Sequence, residues 1–195
     1  DKYMWLMVPA GEAVDMTLAE LEDTLDGNDI IIDGGNSHFE SSVQRATATD
    51  AAYLDCGTSG GPASADAGFS LMIGGPEWAY ESLSPVFDAI ATGPAGHARL
   101  GPNGAGHYVK MVHNGIEYGM MQAIAEGFDV MQKSNKEIDL EKTAKVYNNG
   151  AVIESSLIEW LKEGYGEFGE GLDEASGRAN ESGEGRWTTE AADEL

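Results

Sequence analysis

Four times within its first 75 residues the chain runs a short apolar segment into glycine: YMWLMVPAG from Tyr3, DIIIDGGNS from Asp29, AYLDCGTSGG from Ala52 and SLMIGG from Ser70. Runs this short suit strands, and the three successive isoleucines suit a strand covered on both faces. Between them lie stretches with apolar residues at helical spacing, over 12–25, 40–52 and 77–90. Strands and helices that alternate at this length predict a parallel sheet covered by helices. In such sheets ligands bind outside the carboxyl ends of the strands. Asn36 and the Ser59-Gly60-Gly61 turn fall at those ends.

After LGPNGAG the pattern changes. Residues 106 to about 134 read as one long helix, 141–162 as further helix, and strand-like alternation does not return. The Gly-, Glu- and Ser-rich segment 163–186 reads as a loop, with a last helix starting at Trp187. The expected organisation is an α/β part over 1–103 followed by an all-α part over 104–195. Both ends read as cut, so the chain is expected to be a piece of a longer protein.

The charge is extreme, with 34 Asp and Glu against 11 Lys and Arg and a formal net charge of -23. Nucleic acid and anionic membranes would be repelled by it. The acids are spread along the chain, as a salt-filled cytoplasm favours, where counterions screen self-repulsion; a polycation-binding surface is the competing account. The single cysteine, Cys56, admits no intrachain disulfide and reads as a small core residue. No apolar run approaches the length of a membrane span. The cytoplasm is the expected compartment.

Against that background, one stretch stands out. From Gly104 to Gln122 there is one acid, Glu117, and one Lys or Arg, Lys110. At about 100° per residue, Asn114 falls roughly 40° from Lys110, Glu117 roughly 20°, His113 roughly 60° and Tyr118 roughly 80°. All lie on one side of an otherwise apolar helix. A stripe facing water would be filled with carboxylates in this chain, so this one is expected to face protein or ligand. It is either a buried stripe that satisfies its own hydrogen bonds or one wall of a pocket. A lysine withdrawn from water can serve as a general base, and a partly buried carboxylic acid as a general acid. His38, His97 and His107 lack the spacing of a metal site, and no structural metal is expected.

GAGHYVKMVHNGIEYGMMQAIAEGF resembles the signature helix of the 6-phosphogluconate dehydrogenases, within the β-hydroxyacid dehydrogenase superfamily. DIIIDGGNS, CGTSGG with LMIGG, and GEGRWTTEAA resemble the same family in the same order. The resemblance implies the C-terminal portion of a Rossmann-like dinucleotide-binding domain, then a helical domain for substrate and dimerisation. It implies Lys110 as general base and Glu117 as general acid. Asn36, Ser59, Gly60, Gly61, His113, Asn114, Tyr118 and Arg186 would bind substrate. Val8, Pro9, Ala10 and Asn36, with Gly11 beside them, would line NAD or NADP. A homodimer or higher homo-oligomer is implied, to which Val152, Ile153, Leu157 and Trp160 would contribute.

The sequence departs from the family at three places. The Gly-x-Gly-x-x-Gly phosphate turn is absent, and so is the acidic or basic residue that would choose between NAD and NADP. Ser182 and Glu184 stand where many longer members carry a lysine and a threonine near the sugar phosphate. Arg186 would supply part of that grip or would be a solvated loop arginine. The C-terminal part of the helical domain is missing. Two rivals stay open: a dehydrogenase of a smaller acid such as 3-hydroxyisobutyrate, and a non-catalytic sugar-phosphate-binding protein of the same fold.

Overall fold

The computed structural model describes residues 1–178 and 183–195, with all side chains there but those of residues 62 and 63. Ser182 lies outside the described residues. Strands β1 (Tyr3–Leu6), β2 (Ile30–Asp33), β3 (Ala52–Ser59), β4 (Ser70–Gly74) and β5 (His97–Gly101) form one sheet in chain order. Helices α1 (Glu12–Leu21), α2 (Phe39–Ala48) and α3 (Glu77–Ile90) connect them. Then come α4 (Ala105–Gln132), α5 (Leu140–Tyr147), α6 (Ser156–Phe168) and α7 (Glu184–Asp193).

The isoleucine run explains itself in this sheet. Ile30 and Ile32 pack on one face with Leu54, Cys56, Ile73, Leu83 and Phe87, while Ile31 packs on the other with Leu6, Val14 and Tyr53. Successive strand residues point to opposite faces, and both faces are covered. The Cys56 thiol is buried, and burial pushes its pKa up to about 12, as an inert core residue requires.

The sheet is not wholly parallel. β1, β2 and β3 are parallel, but β4 runs antiparallel to β3, and β5 is parallel to β4. The link from Ser59 to Ser70 holds only the 3-10 turn Pro62–Ala65. That is shorter than the dozen or more residues a parallel crossover needs, so the chain turns back. β5 was not legible in the sequence, because HARLG alternates half-buried and exposed residues and has no apolar run. The stretch read as one helix over 141–162 is two. Asn148, Asn149 and Gly150 (φ +82°) end the first, and the Ser155 side chain caps the second by accepting from Ile158 N–H. The last helix begins at Glu184, three residues earlier than the sequence suggested, so Arg186 is helical.

The chain forms two compact units: Asp1–Gly115 with Ser182–Leu195, and Ile116–Glu181. The change from α/β to helix falls between Gly101 and Ala105, whereas the unit division falls within α4 and returns α7 to the first unit. In the second unit Phe128, Leu140, Ala144, Ile158 and Tyr165 form the core, with Phe128 edge-on to Tyr147 and tilted against Tyr165.

Candidate functional site

At the carboxyl edge of the sheet Leu6 is in register with Asp33, and Asp33 with Asp55. The loops that follow β1 and β2 therefore lie side by side. Gly34 N–H donates to Leu6 C=O at 2.9 Å, and a Cβ on Gly35 would sit 3.0 Å from Val8 O. A buried network fixes both loops. Asp33 accepts from Ser37 and Tyr53 hydroxyls at 2.7 Å each and from Gly35 N–H at 3.1 Å. The Arg45 guanidinium donates to Ser37 Oγ, to Gly11 O and, at 2.7 Å, to Asp15. Burial and the Asp33 carboxylate raise the pKa of Tyr53, keeping it a neutral donor. Val8 is half-buried, while Pro9, Ala10 and Asn36 are exposed at this edge. At Gly11 (φ +86°) a Cβ would meet nothing within 4 Å, so the loop is open there.

The long helix is set on the sheet by glycines and an aspartate. Gly104 takes φ +89°, a left-handed conformation that favours glycine. A Cβ on Gly106 would lie 2.4 Å from both Asp55 O and Met72 O, so only glycine lets the helix touch β3 and β4. Asp55 is fully buried inside β3 and caps the helix across the fold, accepting from Gly104 N–H at 2.7 Å and His107 N–H at 2.9 Å. Gly57 makes room for the Lys110 stem, since a Cβ there would lie 2.3 Å from Lys110 Cβ.

That placement gathers four of the anticipated residues. Lys110 is 8% exposed and its ammonium donates to Asn114 Oδ1 at 2.5 Å. His113 Nδ1 lies 3.0 Å from the same atom, and Nε2 lies 3.1 Å from Ser59 Oγ. The lysine is a donor only, so the shared atom is the amide oxygen and Nδ1 carries a proton. In the neutral ring Nε2 then accepts from Ser59. Ser59 at the end of β3 and His113, Asn114 and Lys110 on α4 form one polar chain.

The other anticipated residues fall in four groups. Gly60 and Gly61 follow Ser59 with φ of +134° and +64°, a turn whose first member accepts from Ser64 Oγ. Val8, Pro9, Ala10 and Asn36 occupy the neighbouring loops. Glu117, half-buried, and Tyr118, 40% exposed, follow on α4 and are counted with the second unit. Arg186 lies in the first turn of α7 with its Nη1 3.7 Å from Glu190 Oε1. Residues that sequence reasoning passed over are Asp33, Arg45, Tyr53, Asp55 and Thr188. The legible signal was an acid in each of two otherwise apolar strands.

Parallel strands with open loops at their carboxyl ends, followed by a helix that brings a buried lysine to that edge, define a nucleotide-binding α/β fold joined to a helical unit. Residues 2–113 match the NAD binding domain of 6-phosphogluconate dehydrogenase, and residues 106–195 match its C-terminal domain. The chain belongs to the 6-phosphogluconate dehydrogenase family. It is 58% identical over 192 residues to a Haloferax volcanii protein named 6-phosphogluconate dehydrogenase, NAD(+)-dependent, decarboxylating, covering 98% of this chain and 64% of that one. The solved 6-phosphogluconate dehydrogenase of Plasmodium falciparum, studied with NADP+ and with 6-phosphogluconate, is 33% identical. It superposes with a TM-score of 0.82 over 98% of this chain and 44% of its own. A 3-hydroxyisobutyrate dehydrogenase from Mycobacterium tuberculosis shares the fold at 20% identity and a TM-score of 0.65, over 98% of this chain and 74% of its own. The chain thus spans less than two thirds of the length of the phosphogluconate dehydrogenases it matches.

No helix among the described residues is long and apolar enough to cross a membrane. Nor does any group of three or more His, Cys, Asp or Glu among them stand ready to hold a metal.

Proposed function

We propose that the protein carrying this chain oxidises and decarboxylates 6-phosphogluconate to ribulose 5-phosphate and carbon dioxide, reducing NAD+ or NADP+. The observation that carries the reading is the buried Lys110 in hydrogen-bonded line with Asn114, His113 and Ser59. A nicotinamide bound along the Val8–Ala10 and Asn36 loops would supply the acceptor for the hydride from C3. Lys110, in its unprotonated form, takes the proton of the C3 hydroxyl as that hydride leaves, which produces a 3-keto acid. Asn114 and His113 hold substrate hydroxyls, and the Ser59–Gly61 turn holds the carboxylate through its hydroxyl and N–H groups. Loss of carbon dioxide sends the C1–C2 electron pair into the ketone, whose oxygen takes the proton back from Lys110. Glu117 then protonates the enediol carbon that becomes C1 of ribulose 5-phosphate. Tyr118 and Arg186 attend the phosphate end.

The relative's name favours NAD+ over NADP+. The acidic composition supports a salt-rich cytoplasm as the protein's setting. The exposed Val152, Ile153 and Trp160 support a homodimer, which light scattering on the complete gene product checks as twice the chain mass.

The direct test uses the complete gene product in molar KCl, with NAD+ and NADP+ offered separately. Nicotinamide reduction and carbon dioxide release are followed on 6-phosphogluconate, with 3-hydroxyisobutyrate as control. Coupled reduction and release are expected, with Lys110→Met lowering the rate by roughly a hundredfold or more. Turnover of 3-hydroxyisobutyrate alone would favour the rival dehydrogenase, whose fold this chain shares.

A further inference from the structure

Arg45 takes no part in that scheme, yet this one side chain touches both loops assigned there to the dinucleotide. It lies on α2 and is 6% exposed. Its Nη2 donates at 3.1 Å to Gly11 O, which closes the loop after β1, and its Nη1 donates at 3.0 Å to Ser37 Oγ, next to Asn36 in the loop after β2. Its Nε donates at 2.7 Å to Asp15 on α1. The rigid guanidinium fork thereby ties together segments that leave two different strands.

Neutralising Asp33 does not account for this placement. Asp33 already accepts from Ser37, Tyr53 and Gly35 N–H, and the Arg45 contact to it is the longest of these, at 3.4 Å. Stability does not account for it either. A buried cation loses to desolvation most of what its ion pairs return, and Asp15 is 60% exposed. What the arginine supplies is an anchor for the loops. Gly11 opens α1 at φ +86° with no side chain to cap the helix, and Arg45 holds its carbonyl. The Ser37 hydroxyl donates to Asp33 and accepts from Arg45, so it is held in one orientation beside Asn36.

We propose that Arg45 is a positioning residue for the dinucleotide: it fixes the separation of the Val8–Ala10 and Asn36 loops, and so where the nicotinamide lies relative to C3 of the substrate. This rests on the enzyme reading above and adds to it a residue outside the reacting groups. Lysine cannot replace it, because an ammonium is a single point of charge that reaches one loop or the other, whereas the fork reaches both.

Arg45→Lys and Arg45→Met in the complete gene product test this. Calorimetry measures Kd for NADH, for NADPH and, without dinucleotide, for 6-phosphogluconate. Kinetics measures the isotope effect on kcat with 6-phosphogluconate deuterated at C3, and urea unfolding measures the fold. The expected result is a Kd for the preferred dinucleotide raised about tenfold by Arg45→Met and about threefold by Arg45→Lys, the loss of two loop anchors and of one. Kd for 6-phosphogluconate stays within about twofold, and kcat falls with a larger isotope effect, because hydride transfer between misplaced carbons is slower. A merely structural arginine would lower the urea midpoint and the active fraction, yet leave the isotope effect and the ratio of the two Kd values unchanged. That pattern overturns the proposal, as does failure of both variants to fold. If the unsubstituted protein binds a dinucleotide but does not turn over 6-phosphogluconate, the enzyme reading fails while the dinucleotide Kd still judges Arg45. If it binds neither dinucleotide, both fail; if it turns over 6-phosphogluconate and the variants match it, only the role of Arg45 fails.

Discussion

Asp55 and His107 show how single buried residues hold the reactive helix. The Asp55 carboxylate satisfies two of the N–H groups that open α4, on a strand nearly fifty residues earlier. Asp55→Ala leaves those groups buried and unpaired, and is expected to lower the unfolding free energy by about 2 kcal/mol or more. Urea unfolding reads this directly, and an unchanged midpoint would refute the cap. His107 sits beside it with Nδ1 2.7 Å from Ser42 Oγ. Burial holds its pKa below the ordinary 6.5, while the Asp55 and Asp33 carboxylates pull it up and Arg45 pulls it down. The folded state thus keeps the ring neutral while the unfolded chain takes up a proton below about pH 6.5. Stability from this residue is present above that pH and is lost as pH falls toward the lower folded value. Unfolding midpoints compared between about pH 7.5 and 5.5 should fall less steeply in His107→Asn than in the parent.

Among elements, α4 carries the argument, and two of its glycines do opposite things. Ala in place of a helical Gly gains about 1 kcal/mol of helix propensity. At Gly127, where a Cβ meets nothing within 4 Å, that gain stands alone, and Gly127→Ala is expected to stabilise by about 0.5–1 kcal/mol. At Gly106 the added methyl strikes two backbone carbonyls at 2.4 Å, which cannot rotate away. Overpacking of about 1–3 kcal/mol outweighs the propensity, so Gly106→Ala destabilises and shifts the lysine from its partners. Thermal midpoints of the two variants should move in opposite directions. Movement of both upward would mean that the helix start does not touch the sheet. Sequence alone could not separate these glycines, because the difference lies in what faces them.

For the whole molecule, charge sets the working conditions. With a net charge of -23 the compact state repels itself, and salt shortens the reach of that repulsion from about 10 Å at 0.1 M to about 3 Å at 1 M. The thermal midpoint is expected to rise steeply with KCl over that range; a flat response would sink the high-salt reading of the composition.

Much of this architecture was legible from residues alone. Apolar runs ending in glycine located four strands, because a strand covered on both faces must be apolar throughout. The acid-poor stripe located the polar side chains of α4, because helical spacing is fixed by the backbone. Those two regularities are local, so sequence determines them. Other features were decided only by folding. The reversal of β4, the edge strand β5, the cap from Asp55, the Asp33–Arg45–Tyr53 network and the burial of Glu184 join residues tens of positions apart. No periodicity encodes such meetings, since each depends on which surfaces the packed sheet and helices bring face to face.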